Sequence, residues 1–463
     1  VDVPAAGQTA PAQPAKKKIT PLMLGGIAAA IVVVLGLGMI LGGQGGDGRV
    51  PGMSGESRQE NTSLKKAEVP YITIQGQEYS TNERSLELQN MGLTDSDIQD
   101  LKYMVNLTYL SLDGNDITDI SPISGLTGLR NLNVMNNPNL TDLSPVSGLT
   151  NLEQINFYGS PVVDYSFMAG LTNLVSIQLY DLQEGTALSF LSNLTKVQRL
   201  YTSGGNNSGI NDLSFLSGMT GLQELGLEVG YDIDTIDLAP LAGLTKLTRL
   251  QIYHSGGSNE GVVKDLTPLA GLTNLQELNL TVEVESLSPL ANLTELRSLY
   301  LHERNGGNSL YLLTDISAVA NMTKLTTLSL TLGEQADVSP LSGLTELVEI
   351  SLSGNFEISD FQFMSGMTKL RNAHINPRGD MQADGIQSFK GLENLTGLRE
   401  LIIYGCGSES LRDTTPLSGL TNLTKLSLPS RYSNDGVYDL SGISGLTKLQ
   451  ELRVYGKVTS LEP

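Results

Sequence analysis

Apolar residues recur along this chain in a fixed phase. A Leu or Met stands at Met104, Leu126, Leu149, Leu171, Leu194, Met219, Leu244, Leu272, Leu293, Met322, Leu344, Met367, Leu395, Leu420 and Leu446, and every one but Met104 is followed directly by Thr. With each of these fifteen as position zero, Leu or Val fills position three and mostly apolar residues fill positions six and eight, as in Leu110/Leu112, Leu278/Leu280 and Ile350/Leu352. Alternation at a period of two marks a short strand, with six and eight turned inward and five, seven and nine outward. Farther along each unit comes Asp-Leu-Ser-Pro-Leu-Ser-Gly or a near relative, as in Asp142–Gly148 and Asp337–Gly343. There Ser is expected to cap a short helical turn, Pro to take its first position, and Gly to end it in a left-handed conformation. The repeated Thr is expected to bond backbone groups between turns. Units of this kind contact only their neighbours and stack into one long solenoid. Counting Leu86/Leu88 ahead of the first unit, the pattern predicts sixteen strands. Spaced ~4.8 Å apart, they form a parallel sheet roughly 70 Å long.

The segments before the repeats follow a different logic. Residues 1–18 are rich in Ala, Pro and Gln and read as disordered linker, 44–69 as a polar Gly/Ser-rich spacer, and 70–104 as a cap over the open end of the repeat core. In the cap, Tyr71–Ile74 and Glu78–Tyr79 predict a hairpin, followed by a short helix with Thr94 as N-cap and Asp95 and Asp97 in its first turn. Between linker and spacer, residues 19–43 read as a transmembrane helix. Leu22–Gly43 has no charged residue and follows Lys16, Lys17 and Lys18. At ~1.5 Å per residue it reaches ~33 Å, enough for a hydrocarbon core of ~30 Å. The lysines are expected to stay cytoplasmic, which places the repeats (105–463) outside a bacterial cell. A cleaved signal peptide is the rival, but its apolar region runs only ~7–15 residues. Ser460-Leu461-Glu462-Pro463 matches the opening of another turn, so the array is expected to continue past the last residue.

Charge narrows the partners. Three of the 29 basic and one of the 49 acidic residues precede residue 44, leaving 26 basic against 48 acidic beyond it. That balance disfavours nucleic acid and anionic lipid, which need clustered Lys/Arg. Cys406 is the single cysteine, so no intrachain disulfide forms.

The repeat residues resemble the leucine-rich repeats of internalin-like surface proteins of Gram-positive, Firmicutes-type bacteria, over Thr94 to the end of the chain. Residues 71–104 resemble the N-terminal cap of membrane-anchored relatives. The resemblance implies an α/β solenoid. It would be a right-handed superhelix with a parallel concave sheet of about sixteen strands and short helical turns on the convex side. It also implies an Asn at position eleven, bonding backbone along the stack. Here only Asn115, Asn137 and Asn355 occupy that position.

Against the regular pattern, two features vary. Extra residues follow the strands at 203–209, 255–262, 305–312, 377–385, 405–411 and 430–437, all on one edge of a solenoid. They suit either a binding edge or neutral drift in tolerant loops. Tyrosine is the sharper signal. Eight of the sixteen fall at outward positions five, seven or nine: Tyr109, Tyr158, Tyr180, Tyr201, Tyr253, Tyr300, Tyr404 and Tyr455. These residues and His302 are the candidate ligand-binding set on the concave face, since Tyr supplies rigid contact area with a polar tip. Arg199, Glu224, Arg249, Glu277, Glu349 and Glu400 share these rows, and their mixed signs suit a protein or cell-surface glycan.

Catalysis, metal and cofactor find little support. His254, His302 and His374 fall on separate strands, too far apart to share one ion. The tripeptide Arg378-Gly379-Asp380 is too short to carry an integrin reading, Asp380 and Asp384 lack a full calcium spacing, and Cys406 reads as an inert thiol. The sequence therefore predicts a membrane-anchored surface scaffold that binds protein or glycan without turnover. The alternatives are a targeting module for an enzyme domain elsewhere, or the ectodomain of a sensor.

Overall fold

The structure, a computed structural model, describes residues 70–182, 186–204, 210, 212–229, 235–254, 263–302, 312–377, 385–405, 411–429, 437–455 and 457–458. Leu22–Gly43 lies outside the described residues. Among those described, no helix is long and apolar enough to cross a membrane.

Each repeat contributes one strand, because residues six and eight face a shared core while five, seven and nine face away. The hairpin of β1 (Tyr71–Ile74) and β2 (Gln77–Ser80) opens the chain, and β3 (Ser85–Glu87) begins the main sheet. The next four strands are β4 (Tyr109–Ser111), β5 (Asn131–Asn133), β6 (Gln154–Asn156) and β7 (Ser176–Leu182). Then come β8 (Arg199–Gly204), β9 (Glu224–Val229), β10 (Arg249–His254), β11 (Glu277–Thr281) and β12 (Ser298–His302). β13 (Thr327–Leu332), β14 (Glu349–Gly354), β15 (Asn372–Pro377), β16 (Glu400–Ile403) and β17 (Lys425–Leu428) follow. β18 (Val437–Tyr438) pairs in parallel with β20 (Lys457–Val458), and β19 (Glu451–Val454) closes the main sheet. The main sheet has sixteen strands in sequence order, and its neighbouring strands pair in parallel. This matches the sixteen strands counted from the pattern.

Register keeps equal positions adjacent: Arg199 faces Glu224, Glu224 faces Arg249, and Arg249 faces Glu277. The leucines at positions zero, three, six and eight merge into one continuous apolar core, closed at the first end by Ile72, Ile74 and Leu86.

The turns between strands are short 3-10 segments, such as Ser144–Gly148 and Ser339–Gly343, with Val146 and Leu341 buried. Three expectations about the turns need correction. Ser does not cap the turn; it is the first residue inside it. The cap comes from the preceding Asp, whose carboxylate accepts from the backbone N–H two residues on, as in Asp142 to Ser144 at 2.7 Å and Asp337 to Ser339 at 2.8 Å. Gly148 does not end the turn left-handed, since its φ is not among the positive ones and Leu149 closes the turn at φ −85°. Among the described residues, the Thr after each rung forms no hydrogen bond through its hydroxyl. Its carbonyl accepts instead from an Asn at position two of the next repeat, as in Asn151 to Thr127 and Asn173 to Thr150, both 2.9 Å. A different Thr, at position four, donates to the preceding repeat, as Thr248 does to the Gln223 carbonyl at 3.0 Å.

The cap also differs in detail. The 3-10 helix there spans Gln99–Tyr103 behind Ile98, while Thr94 donates from N–H and hydroxyl to Asp97 at 2.8 Å each. Asp95 ties the cap to the first repeat by accepting from the N–H groups of Thr118 and Asp119 at 2.7 and 3.0 Å.

The Asn row is real where it survives. Asn115 donates to the carbonyls of Leu88 and Leu112, both 2.8 Å, and accepts from Leu93 N–H at 3.0 Å. Asn137 repeats the arrangement, and Ser160 succeeds it by donating to the Val134 carbonyl at 2.8 Å. Asn355 forms no side-chain hydrogen bond among the described residues, although it holds the same position. The ladder is delivered by the residue before it. Gly114, Asn136 and Gly159 have φ of +69°, +51° and +74°, and this left-handed step turns the chain sharply under the sheet.

Candidate functional surface

The open face of the sheet carries positions five, seven and nine, and it changes character along its length. On β5–β7 the residues at five and seven are Asn131, Asn133, Gln154, Asn156, Ser176 and Gln178, all uncharged. Tyr158 and Tyr180 stand at position nine on neighbouring repeats. Their ring centroids lie 4.9 Å apart at 64°, an edge-on contact. Tyr180 also packs edge-on against core Phe157 at 6.1 Å and donates its hydroxyl to Gln178. Burial, reinforced by Tyr158, pushes its phenol up to about 12. Tyr158 itself remains 52 % exposed. One ring is thus held rigid and the other is offered to solvent.

From β8 to β11 position five becomes a ladder of alternating charge. Arg249 pairs with Glu277 at 2.9 Å, and Gln251 donates to the same carboxylate. Tyr201 donates its hydroxyl to Glu224, and burial together with that carboxylate raises its phenol to about 12. The Tyr201 ring lies over Gly226, where a Cβ would stand 2.6 Å from the ring carbon Cδ1. Burial likewise raises Tyr253 to about 12, with Glu277 adding to it, and raises Tyr300. These three tyrosines and Tyr109 are half-buried rather than displayed.

A second group of charges lies on β15–β17. Lys425 pairs with Glu400 at 2.9 Å, and His374 Nε2 approaches the same carboxylate at 3.4 Å but out of line for a hydrogen bond. The hydrogen bond from Lys425 holds Glu400 below the usual carboxylate range. Outward position is not the same as exposure, because Ser111, Ile402 and Ser427 all point to the open face yet are buried.

The candidate set is therefore not one site. Tyr158 and Tyr180 touch; Tyr201 joins the charge ladder; Tyr404 and Tyr455 are exposed at 40 % and 48 % near the far end. His302 is at the surface, and crowding around its ring pulls its pKa down by desolvation. Among the described residues no group of three His, Cys, Asp or Glu stands ready for a metal. The side chain of His254, residues 378–380, Asp384 and Cys406 lie outside the described residues, as do nearly all of the six insertions. The amide rows of β5–β7 and the Gly226 platform were not foreseen. Both become visible when positions five and seven are compared across repeats instead of along one.

Residues 105–148 match the family model for leucine-rich repeats in two copies. The fold is that of a leucine-rich-repeat solenoid. Comparison with curated proteins finds no match. Among solved structures, the chain is similar to an internalin from Listeria monocytogenes, with 24% identity, a TM-score of 0.50, and coverage of 81% of this chain and 89% of that one. It is also similar to a leucine-rich-repeat protein of Leptospira interrogans, at 18% identity and a TM-score of 0.60, covering 82% of this chain and 92% of that one. A third is the ectodomain of the Arabidopsis receptor kinase HAESA, solved with a peptide hormone, at 16% identity and a TM-score of 0.51 over 77% of this chain and 67% of that one. At these identities the likeness is one of fold.

Proposed function

We propose that this protein is a cell-surface scaffold that recognises a ligand non-covalently on the open face of its sheet, without chemical turnover. The observation that carries the reading is the Tyr158–Tyr180 pair, an exposed aromatic braced by a half-buried one in the middle of a polar face. A rigid aromatic loses little entropy on binding, which is why such residues anchor interfaces. The peptide-bound plant ectodomain supports the use of this fold for binding. Leu22–Gly43 would anchor the chain in the membrane with the repeats outside the cell. The experiment is capture of surface extracts by the full chain and by the Tyr158→Ala, Tyr180→Ala, Tyr201→Ala triple variant. The triple variant should lose capture while a circular-dichroism melt confirms that the solenoid still folds; unchanged capture would reject the open face. For topology, a reporter fused after Glu68 should be accessible on intact cells.

A further inference from the structure

We infer that the β5–β7 sector of the open face is a carbohydrate subsite, taking a neutral oligosaccharide of two or three rings. The inference deepens the recognition reading above and rests on it.

Three observations converge. First, the field is uncharged: positions five and seven on these strands are Asn, Gln and Ser throughout. A ligand with formal charge would demand a counter-charge here to offset its desolvation. Second, most of these amides keep unused hydrogen-bonding groups; Asn133 is the exception, donating to the Ser111 hydroxyl at 3.3 Å and accepting from Met135 N–H at 3.2 Å. Asn131 and Gln154 form no side-chain hydrogen bond among the described residues. Asn156 uses only its carbonyl, accepting from Tyr158 N–H at 3.3 Å, and Gln178 uses only its carbonyl, accepting from the Tyr180 hydroxyl. A carboxamide presents a donor and an acceptor side by side, and so matches a pair of neighbouring sugar hydroxyls, each of which also donates and accepts. Third, Tyr158 offers an exposed ring fixed by its contact with Tyr180, a surface for the C–H face of a pyranose.

Size decides between this ligand and a protein. Strands ~4.8 Å apart and residues ~3.3 Å apart give a field of roughly 10–15 Å by 7–13 Å. A stable protein interface buries about 800 Å² on each side, several times that area. A protein that spread onto β8–β11 would cover Arg249, Glu277, Gln251, Tyr201 and Glu224, which already satisfy one another. Covering those pairs desolvates charge and gains no new partner.

The test is calorimetric titration of the full chain with cellohexaose, maltohexaose, chitohexaose and mannohexaose, with polygalacturonate as the anionic control. At least one neutral hexasaccharide should bind, polygalacturonate should not, and affinity should fall at least tenfold in Tyr158→Ala and in Gln154→Ala/Asn156→Ala. Tyr158→Phe should retain most of it, since the ring and not the hydroxyl makes the contact. Binding by none of the neutral sugars, or binding undiminished in Tyr158→Ala, overturns the inference. If surface capture depends on the tyrosines but is destroyed by protease and spared by glycosidase, the subsite proposal fails while the recognition reading stands.

Discussion

Strands β4, β5 and β6 stop after three residues, whereas β8, β9 and β10 run for six. One backbone position separates the two regions. In the early repeats a left-handed residue at position ten (Gly114, Asn136, Gly159) turns the chain inward and drops Asn115, Asn137 or Ser160 onto the backbone below. At β7 the chain stays extended and Leu182 takes the ladder position as a core residue; position ten returns to a positive φ only later, at Gly354 and Gly405 among the described residues. The same core is therefore closed in two ways: by buried hydrogen bonds near the cap, and by longer strand pairing and apolar contact beyond it. The outer face divides nearby, with partly paired amides over β5–β7 and a self-paired charge ladder over β8–β11. Regularity inside does not impose regularity outside.

The strongest way to break this comparison is at the ladder. Asn115→Ala removes partners from the buried Leu93 N–H and the Leu88 carbonyl, and should cost about 2–4 kcal/mol. Asn355→Ala, at the same position but without such bonds, should cost well under about 1 kcal/mol. Scanning calorimetry of both variants measures the contrast; equal losses would mean that the ladder position matters for some other reason. Gly226→Ala should cost about 1–2 kcal/mol, because the added methyl meets the Tyr201 ring. Once displaced, Tyr201 should titrate nearer the ordinary phenol range, which an alkaline absorbance titration reads directly. Arg249→Ala removes a half-exposed pair with Glu277 and should cost about 1 kcal/mol or less.

The smallest effect concerns acid. Hydrogen bonds from Ser166 and Ser214 hold Asp164 and Asp212 below the usual carboxylate range, and Asp337 and Asp439 are lowered in the same way. A carboxylate lowered in the folded state contributes stability above its unfolded pKa of about 3.9 and loses it as pH falls through the folded value. Melting temperature should therefore be flat from neutral pH to about 5 and decline below about 4. A decline already at pH 6 would point to a different group.

Most of the core was legible in the sequence, because a period that places Leu278 and Leu280 inward leaves little choice of strand, register or sheet order. The turns were less legible. Asp-Leu-Ser-Pro admits a cap from either Asp142 or Ser144, and only the backbone geometry shows that the chain enters the turn one residue earlier than a Ser cap requires. Exposure was harder still. Tyr158 and Tyr201 both occupy outward positions, yet one is displayed and the other lies down over Gly226. That difference depends on a neighbour one repeat away, some twenty-five residues along the chain, so inspection of either repeat alone could not reveal it.

The decisive measurement compares capture of surface material by full-length Tyr158→Ala and by full-length Arg249→Ala/Glu277→Ala, each checked for an intact melt. Recognition centred on the uncharged sector predicts at least a tenfold loss in the first and near wild-type capture in the second. The reverse pattern would move the ligand onto the charge ladder and contradict the division drawn here.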